Sequence, residues 1–96
     1  MLKFLAAAIG FAAVAAAVVA SAEPPAGAAS CSGCHPASTR VTSPVPRLAG
    51  LYPAVIVRAM QDFRSGTRAA TVMDRIAKGF TDEEIQALAA WYATQR

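Results

Sequence analysis

Five consecutive residues combine the chain's two cysteines with its single histidine, in the order Cys31-Ser32-Gly33-Cys34-His35. The spacing C-x-x-C-H is the attachment pattern of c-type haem. Two thiols at this spacing lie on about one helical turn, so both can form thioethers with the vinyl groups at one edge of a porphyrin. The histidine that follows can then reach the iron. The pattern predicts one covalent haem, held by Cys31 and Cys34 and ligated by His35.

Three other chemistries use a pair of cysteines. An exported chain could join them in a disulfide. A thioredoxin-like redox pair would be expected in a βαβ context, which this sequence lacks. A zinc site would need further cysteine or histidine ligands, and His35 is the only histidine. The combination of both cysteines with the histidine therefore favours haem over these alternatives.

The second axial ligand of the iron is predicted to be a methionine. Beyond Met1, the sequence contains only Met60 and Met73. Met60 lies on the apolar face of a predicted helix, where a core role is expected. Met73 follows a predicted helix end at Gly66 and is favoured as the ligand, with Met60 as the alternative. Histidine and methionine together fill both axial positions, which suits an electron carrier and not an enzyme.

The first predicted helix must carry the haem motif. It covers residues 28–35 and ends at Pro36, because proline disfavours helical backbone in the residue before it. Residues 36–50 contain three prolines and no helical period, which predicts a loop. A ligating imidazole usually donates a hydrogen bond from its other ring nitrogen. We expect a backbone carbonyl of residues 44–46 to accept it from His35.

Three further helices are predicted, and no segment alternates as a strand would, so the predicted fold class is all-α. Pro53 is placed in the first turn of the second helix, and Gly66 at its C-terminal cap. The third helix is short and covers residues 72–78. Thr81 and Glu84 form the capping box that starts the fourth. The predicted apolar faces are Val55, Ile56, Ala59, Met60 and Phe63 on the second helix and Ile85, Leu88, Ala89 and Tyr92 on the fourth.

Residues 1–22 have the pattern of a secretory signal peptide. One basic residue, Lys3, precedes an apolar run that ends in the A-x-A sequence Ala20-Ser21-Ala22. Cleavage there would leave residues 23–96 as the mature domain, located in the periplasm without stable membrane insertion. The alternative is a retained anchor, because residues 4–22 carry no charge and approach the length that spans a bilayer.

The mature domain is small and contains few large apolar residues. Domains of this size usually need additional stabilisation from a metal or a disulfide, so folding should depend on the haem. The whole sequence has a pI of about 9.3, to which Lys3 contributes. It contains no run of basic residues interleaved with aromatic residues. No nucleic-acid partner is therefore predicted.

The ordered set of motifs resembles class I cytochrome c. It consists of the C-x-x-C-H motif, the stretch Pro46-Arg47-Leu48-Ala49-Gly50, Met73, and a C-terminal helix with aromatic residues. The resemblance covers nearly all of residues 23–96. It implies a small fold of three to four helices around one haem. It also implies that Met73 is the axial ligand and that the Pro46 carbonyl accepts the hydrogen bond from His35.

A narrower resemblance links residues 60–66 (MQDFRSG) and 71–80 (TVMDRIAKGF) to the cytochrome subunit of flavocytochrome c sulfide dehydrogenase. It implies a flavoprotein partner that oxidises sulfide at its FAD and passes electrons to this chain. Related chains usually carry glycines soon after the haem histidine, whereas residues 36–46 contain none. A single C-x-x-C-H motif also means one haem, where some members of the subfamily carry two.

Two alternatives to this function stay open. One is a free periplasmic cytochrome that shuttles electrons between other redox partners. The other is a haem enzyme or gas sensor with an open iron site, which the predicted Met73 ligand disfavours. Free shuttles often use lysines for electrostatic steering, yet Lys78 is the only lysine after Lys3. This composition favours a stable partner over a shuttle.

Overall fold

The computed structural model describes residues 23–96, together with residues 3, 8–10, 12–13 and 15. Its helices are α1 (Ala28–Ser32), α2 (Pro53–Ser65), α3 (Met73–Ala77) and α4 (Asp82–Ala93). The described residues include no strand, and the predicted all-α class is confirmed. None of the described helices is both long enough and apolar enough to cross a membrane. The predicted signal peptide lies, apart from those few positions, outside the described residues.

Helix α1 is shorter than the sequence predicted. It follows Gly27, whose φ of 89° lies in the left-handed region, and it ends at Ser32. Beyond that point the amide of Gly33 donates to the carbonyl three residues earlier, and that of Cys34 does the same. The His35 amide donates to the Cys31 carbonyl four residues earlier at 2.9 Å, so residues 33–35 form a hydrogen-bonded turn that is no longer regular helix. The prediction that α1 extends to residue 35 was wrong for this reason.

Helix α2 begins and ends at the predicted signals. Pro53 occupies its first turn, and Gly66 caps it with a φ of 82°. Ile56 and Met60 are buried four residues apart, as the apolar face requires. Val55 was wrongly placed on that face, because it is 51% exposed. It lies about 100° around the helix from Ile56, outside the buried stripe.

Helix α4 confirms the capping box and the predicted apolar face. The Thr81 amide donates to Glu84 Oε1 at 2.9 Å, and the Glu84 amide donates to Thr81 Oγ1 at 3.1 Å. These bonds satisfy two amides that a helix start would otherwise leave without partners. All four residues predicted to face the core are buried: Ile85, Leu88, Ala89 and Tyr92.

Helix α2 packs against both α3 and α4. Arg64, near the end of α2, donates from Nη1 to the Phe80 carbonyl at 3.3 Å and also forms an ion pair with Asp82. These contacts join the end of α2 to the start of α4. Cys31 and Met73 are half-buried against the same apolar core, which brings the haem motif and α3 to one packed unit.

Candidate cofactor site

His35 is oriented by the loop that follows it. Its Nδ1 lies 2.5 Å from the carbonyl oxygen of Pro46. A carbonyl can only accept, so Nδ1 carries the hydrogen and donates it. The lone pair of the neutral ring then lies on Nε2, which is the nitrogen available to a metal. The structure thus brings together His35 and Pro46, the pair implied by the sequence resemblance.

The two cysteines occupy the end of α1 and the turn after it. Cys31 is half-buried, Cys34 is exposed, and neither is in a disulfide. Burial raises the pKa of the Cys31 thiol above its ordinary value, although a backbone hydrogen bond acts in the opposite direction. Burial therefore favours the neutral thiol of Cys31 over its thiolate.

The two methionines have different environments. Met60 is 7% exposed and belongs to the core cluster. Met73 is the first residue of α3 and is half-buried at the border of that cluster. A thioether at the border can turn toward a group bound outside the core, while that of Met60 is enclosed by apolar neighbours. The observed burial of Met60 agrees with the predicted core role.

Two large apolar side chains stay exposed near these residues. Val72 immediately precedes Met73 and is 50% exposed, and Ile76, one helical turn further, is 39% exposed. Uncovered apolar side chains beside a thioether suit the apolar faces of a porphyrin. The two free thiols and the oriented imidazole supply the donor atoms, and these apolar side chains supply the apolar surface, that fit a covalently attached haem.

Two polar contacts at the site were not predicted. Ser32, between the two cysteines, has Oγ 2.8 Å from Tyr92 Oη, and Tyr92 Oη donates to the Ala28 carbonyl at 2.7 Å. Arg47 Nε donates to the Ala37 carbonyl at 2.8 Å. A tyrosine on a buried helix face usually finds a hydrogen-bond partner, which is the signal that could have indicated the first contact. The sequence offered no comparable signal for Arg47.

No protein-family model matches the sequence, but curated proteins do. The chain is 43% identical over 63 residues to the cytochrome subunit of sulfide dehydrogenase from Chlorobaculum tepidum, covering 66% of this chain and 57% of that protein. It is 41% identical over 66 residues to cytochrome c4 from Thiocapsa roseopersicina, covering 68% and 34%. It is 38% identical over 65 residues to the thiosulfate dehydrogenase electron acceptor from Stutzerimonas stutzeri, covering 66% and 30%.

These matches define the class. The chain is related to c-type cytochromes, and its helices have the small all-α fold of class I. The relatives include the cytochrome subunit of a sulfide dehydrogenase, the group that the sequence resemblance had indicated. They are cytochromes and electron-transfer proteins, in agreement with the prediction that the chain is not itself an enzyme. The chain spans between about a third and somewhat more than half of the length of these relatives.

Proposed function

We propose that residues 23–96 form a periplasmic cytochrome c with one covalent haem, which accepts electrons from a flavoprotein sulfide dehydrogenase. Cys31 and Cys34 would hold the haem through thioethers. His35, through Nε2, and Met73 would hold the iron. Residues 1–22 would direct export and be removed. The contact between His35 Nδ1 and the Pro46 carbonyl carries the proposal, because it presents Nε2 as the metal-binding nitrogen.

The haem iron would supply reversible one-electron chemistry. The residues of the chain determine how that chemistry is used. If both axial positions are filled by side chains, no position is open for a substrate to coordinate. The Pro46 carbonyl fixes the ring tautomer and makes the imidazole a stronger donor. A site with these properties transfers electrons between partners and transforms no substrate of its own.

The choice of partner rests on the relatives and on the surface. One relative is the cytochrome subunit of a sulfide dehydrogenase. In residues 23–96, Lys78 is the only lysine, whereas Val72 and Ile76 leave apolar area exposed beside Met73. Stable subunit contacts are more apolar than the contacts of transient encounters. These features support a lasting complex with an FAD-containing sulfide dehydrogenase subunit.

A free electron shuttle is the second candidate. Its support is the similarity to cytochrome c4 and to a protein named as the electron acceptor of a thiosulfate dehydrogenase. In this case the same residues would hold the haem. The exposed apolar area would then serve brief contacts with several redox partners.

One purification separates the two candidates. The protein is isolated gently from its own source, and its absorption spectrum and mass are measured. We expect haem bands together with stoichiometric flavin, and bleaching of the flavin when sulfide is added. Haem bands alone on a small monomer would contradict the sulfide dehydrogenase partner and favour the shuttle. A chain without covalent haem would contradict both.

The iron ligation has its own test. The reduced haem protein is mixed with carbon monoxide at neutral pH and its spectrum is followed. Because Met73 is proposed to fill the position opposite His35, we expect no rapid binding. Rapid binding would show an open iron site and would favour a haem enzyme or gas sensor.

A further inference from the structure

Two hydrogen bonds close the loop that begins at His35. In the first, His35 Nδ1 meets the Pro46 carbonyl at 2.5 Å. In the second, Arg47 Nε donates to the Ala37 carbonyl at 2.8 Å. The acceptor of the first bond and the donor of the second belong to consecutive residues. The two bonds therefore lie side by side and connect the two ends of the loop.

The loop has little else to hold it. Residues 36–46 contain no helix and no glycine, and their three prolines have no amide hydrogen to donate. The other hydrogen bonds described for this segment are local ones, from the Arg40 amide to Ser38 Oγ and from the Val45 amide to Ser43 Oγ. Within the described structure, only the bonds of His35 and Arg47 join the start of the loop to its end.

We propose that Arg47 is a positioning residue for the histidine ligand. Its bond to Ala37 holds the two ends of the loop together. This keeps the Pro46 carbonyl within hydrogen-bond distance of Nδ1–H of His35. The inference rests on the proposed ligation of iron by His35. A hydrogen bond at Nδ1 raises the basicity of a ligating imidazole, and a more basic ligand favours the oxidised iron. Loss of the Arg47 bond should therefore raise the reduction potential.

Three substitutions separate the hydrogen bond of Arg47 from its charge. Arg47→Gln keeps an N–H donor at the same number of bonds from the backbone as Nε, but it removes the charge. Arg47→Lys keeps the charge, while its only nitrogen lies one bond further out. Arg47→Met has a similar length and offers no donor. If the bond to Ala37 is what matters, Gln should replace Arg best.

The test is made on the haem-loaded protein. Two quantities are measured: the rate at which the His35 Nδ1 proton exchanges with solvent, followed by NMR in the reduced state, and the reduction potential. In Arg47→Met we expect exchange about fivefold faster, as for the loss of one net hydrogen bond, and a higher potential. Arg47→Gln should stay within about twofold of the wild type in exchange and keep its potential.

Arg40→Met is the matched control, because Arg40 is exposed in the same loop and the described structure shows no hydrogen bond from its side chain. It should leave both quantities unchanged. The inference is overturned if Arg47→Met behaves as the wild type. It is also overturned if Lys preserves both quantities and Gln does not, since the charge of Arg47 would then be its contribution. Failure of the proposed function would instead appear in the wild type, as protein without covalent haem.

Discussion

Ser32 and Tyr92 are joined by a hydrogen bond between α1 and α4, with Ser32 Oγ 2.8 Å from Tyr92 Oη. Tyr92 is 6% exposed, and its hydroxyl also donates to the Ala28 carbonyl at 2.7 Å. Ser32 stands between Cys31 and Cys34, so the C-terminal helix is bonded directly to the segment proposed to hold the haem. Helix α4 thus contributes to the site although it supplies none of the predicted haem-binding residues.

Removing the Tyr92 hydroxyl should destabilise the fold while leaving its ring packing intact. We expect Tyr92→Phe to lower the free energy of unfolding by about 1 kcal/mol, because the bonds of the hydroxyl to Ser32 Oγ and the Ala28 carbonyl are lost while Ser32 Oγ still donates to the Ala28 carbonyl at 3.2 Å. The measurement is denaturant unfolding of the haem protein. Tyr52→Phe is the control, since Tyr52 is 81% exposed, and it should change the free energy by less than about 0.5 kcal/mol. Equal effects of the two variants would contradict the role of the buried hydroxyl.

The two methionines should respond differently to truncation. Met73→Ala should leave a folded haem protein with a lowered reduction potential and a newly open iron position, because the axial thioether is lost. Met60→Ala should leave the visible spectrum unchanged. It should lower the free energy of unfolding by about 2–5 kcal/mol, because it creates a cavity in the core. Carbon monoxide binding and denaturant unfolding of both variants are the measurements. Rapid carbon monoxide binding by Met60→Ala alone would show that the ligand assignment is wrong.

The parts of the fold that the sequence predicted correctly depend on local signals. Pro53 and Gly66 mark the two ends of α2, and the reciprocal bonds of Thr81 and Glu84 mark the start of α4. Each of these residues acts within one helical turn, so neighbouring sequence is enough to identify it. The haem motif is local in the same sense, because its three functional residues lie within about one helical turn of each other.

The parts that the sequence did not predict depend on contacts between distant segments. The bond from Ser32 to Tyr92 requires α1 and α4 to meet, and the bond from Arg47 to Ala37 requires the loop to close. Seven arginines follow the haem motif, and nothing in the sequence gave a reason to single out Arg47 among them. Val55 has the apolar character of a core residue but faces outward, because only the packing of α2 decides which stripe is buried.

Haem attachment should be needed for a stable fold. Among the described residues, three of the eight buried core residues are alanines, and Ile85 and Leu88, at 1% and 3% exposed, are the most enclosed of the larger side chains. This core buries little apolar area for a domain that must offset its chain entropy. We expect Cys34→Ala and His35→Ala to yield little folded protein, as measured by circular dichroism during heating. A cooperative thermal transition in haem-free protein would contradict this dependence.

Gly27 should be the glycine that is least tolerant of a side chain. It has a φ of +89°, and a Cβ there would lie 2.5 Å from Phe80 Cε1. Gly66 has a similar φ of +82° but no atom within 4 Å of its Cβ position. Gly66→Ala should therefore cost about 1 kcal/mol from backbone strain alone. Gly27→Ala should cost about 1–3 kcal/mol more, because the Phe80 ring must move.

The contribution of the ring can be isolated in a Phe80→Leu background. Leucine lacks the two ring atoms that a Cβ at Gly27 would meet most closely, Cε1 and Cζ. In that background Gly27→Ala and Gly66→Ala should lower the free energy of unfolding by similar amounts, since only the strain of a positive φ remains. The measurement is denaturant unfolding of the haem protein for the single and double variants. A Gly27→Ala cost that stays larger by the same margin would show that the Phe80 ring is not its cause.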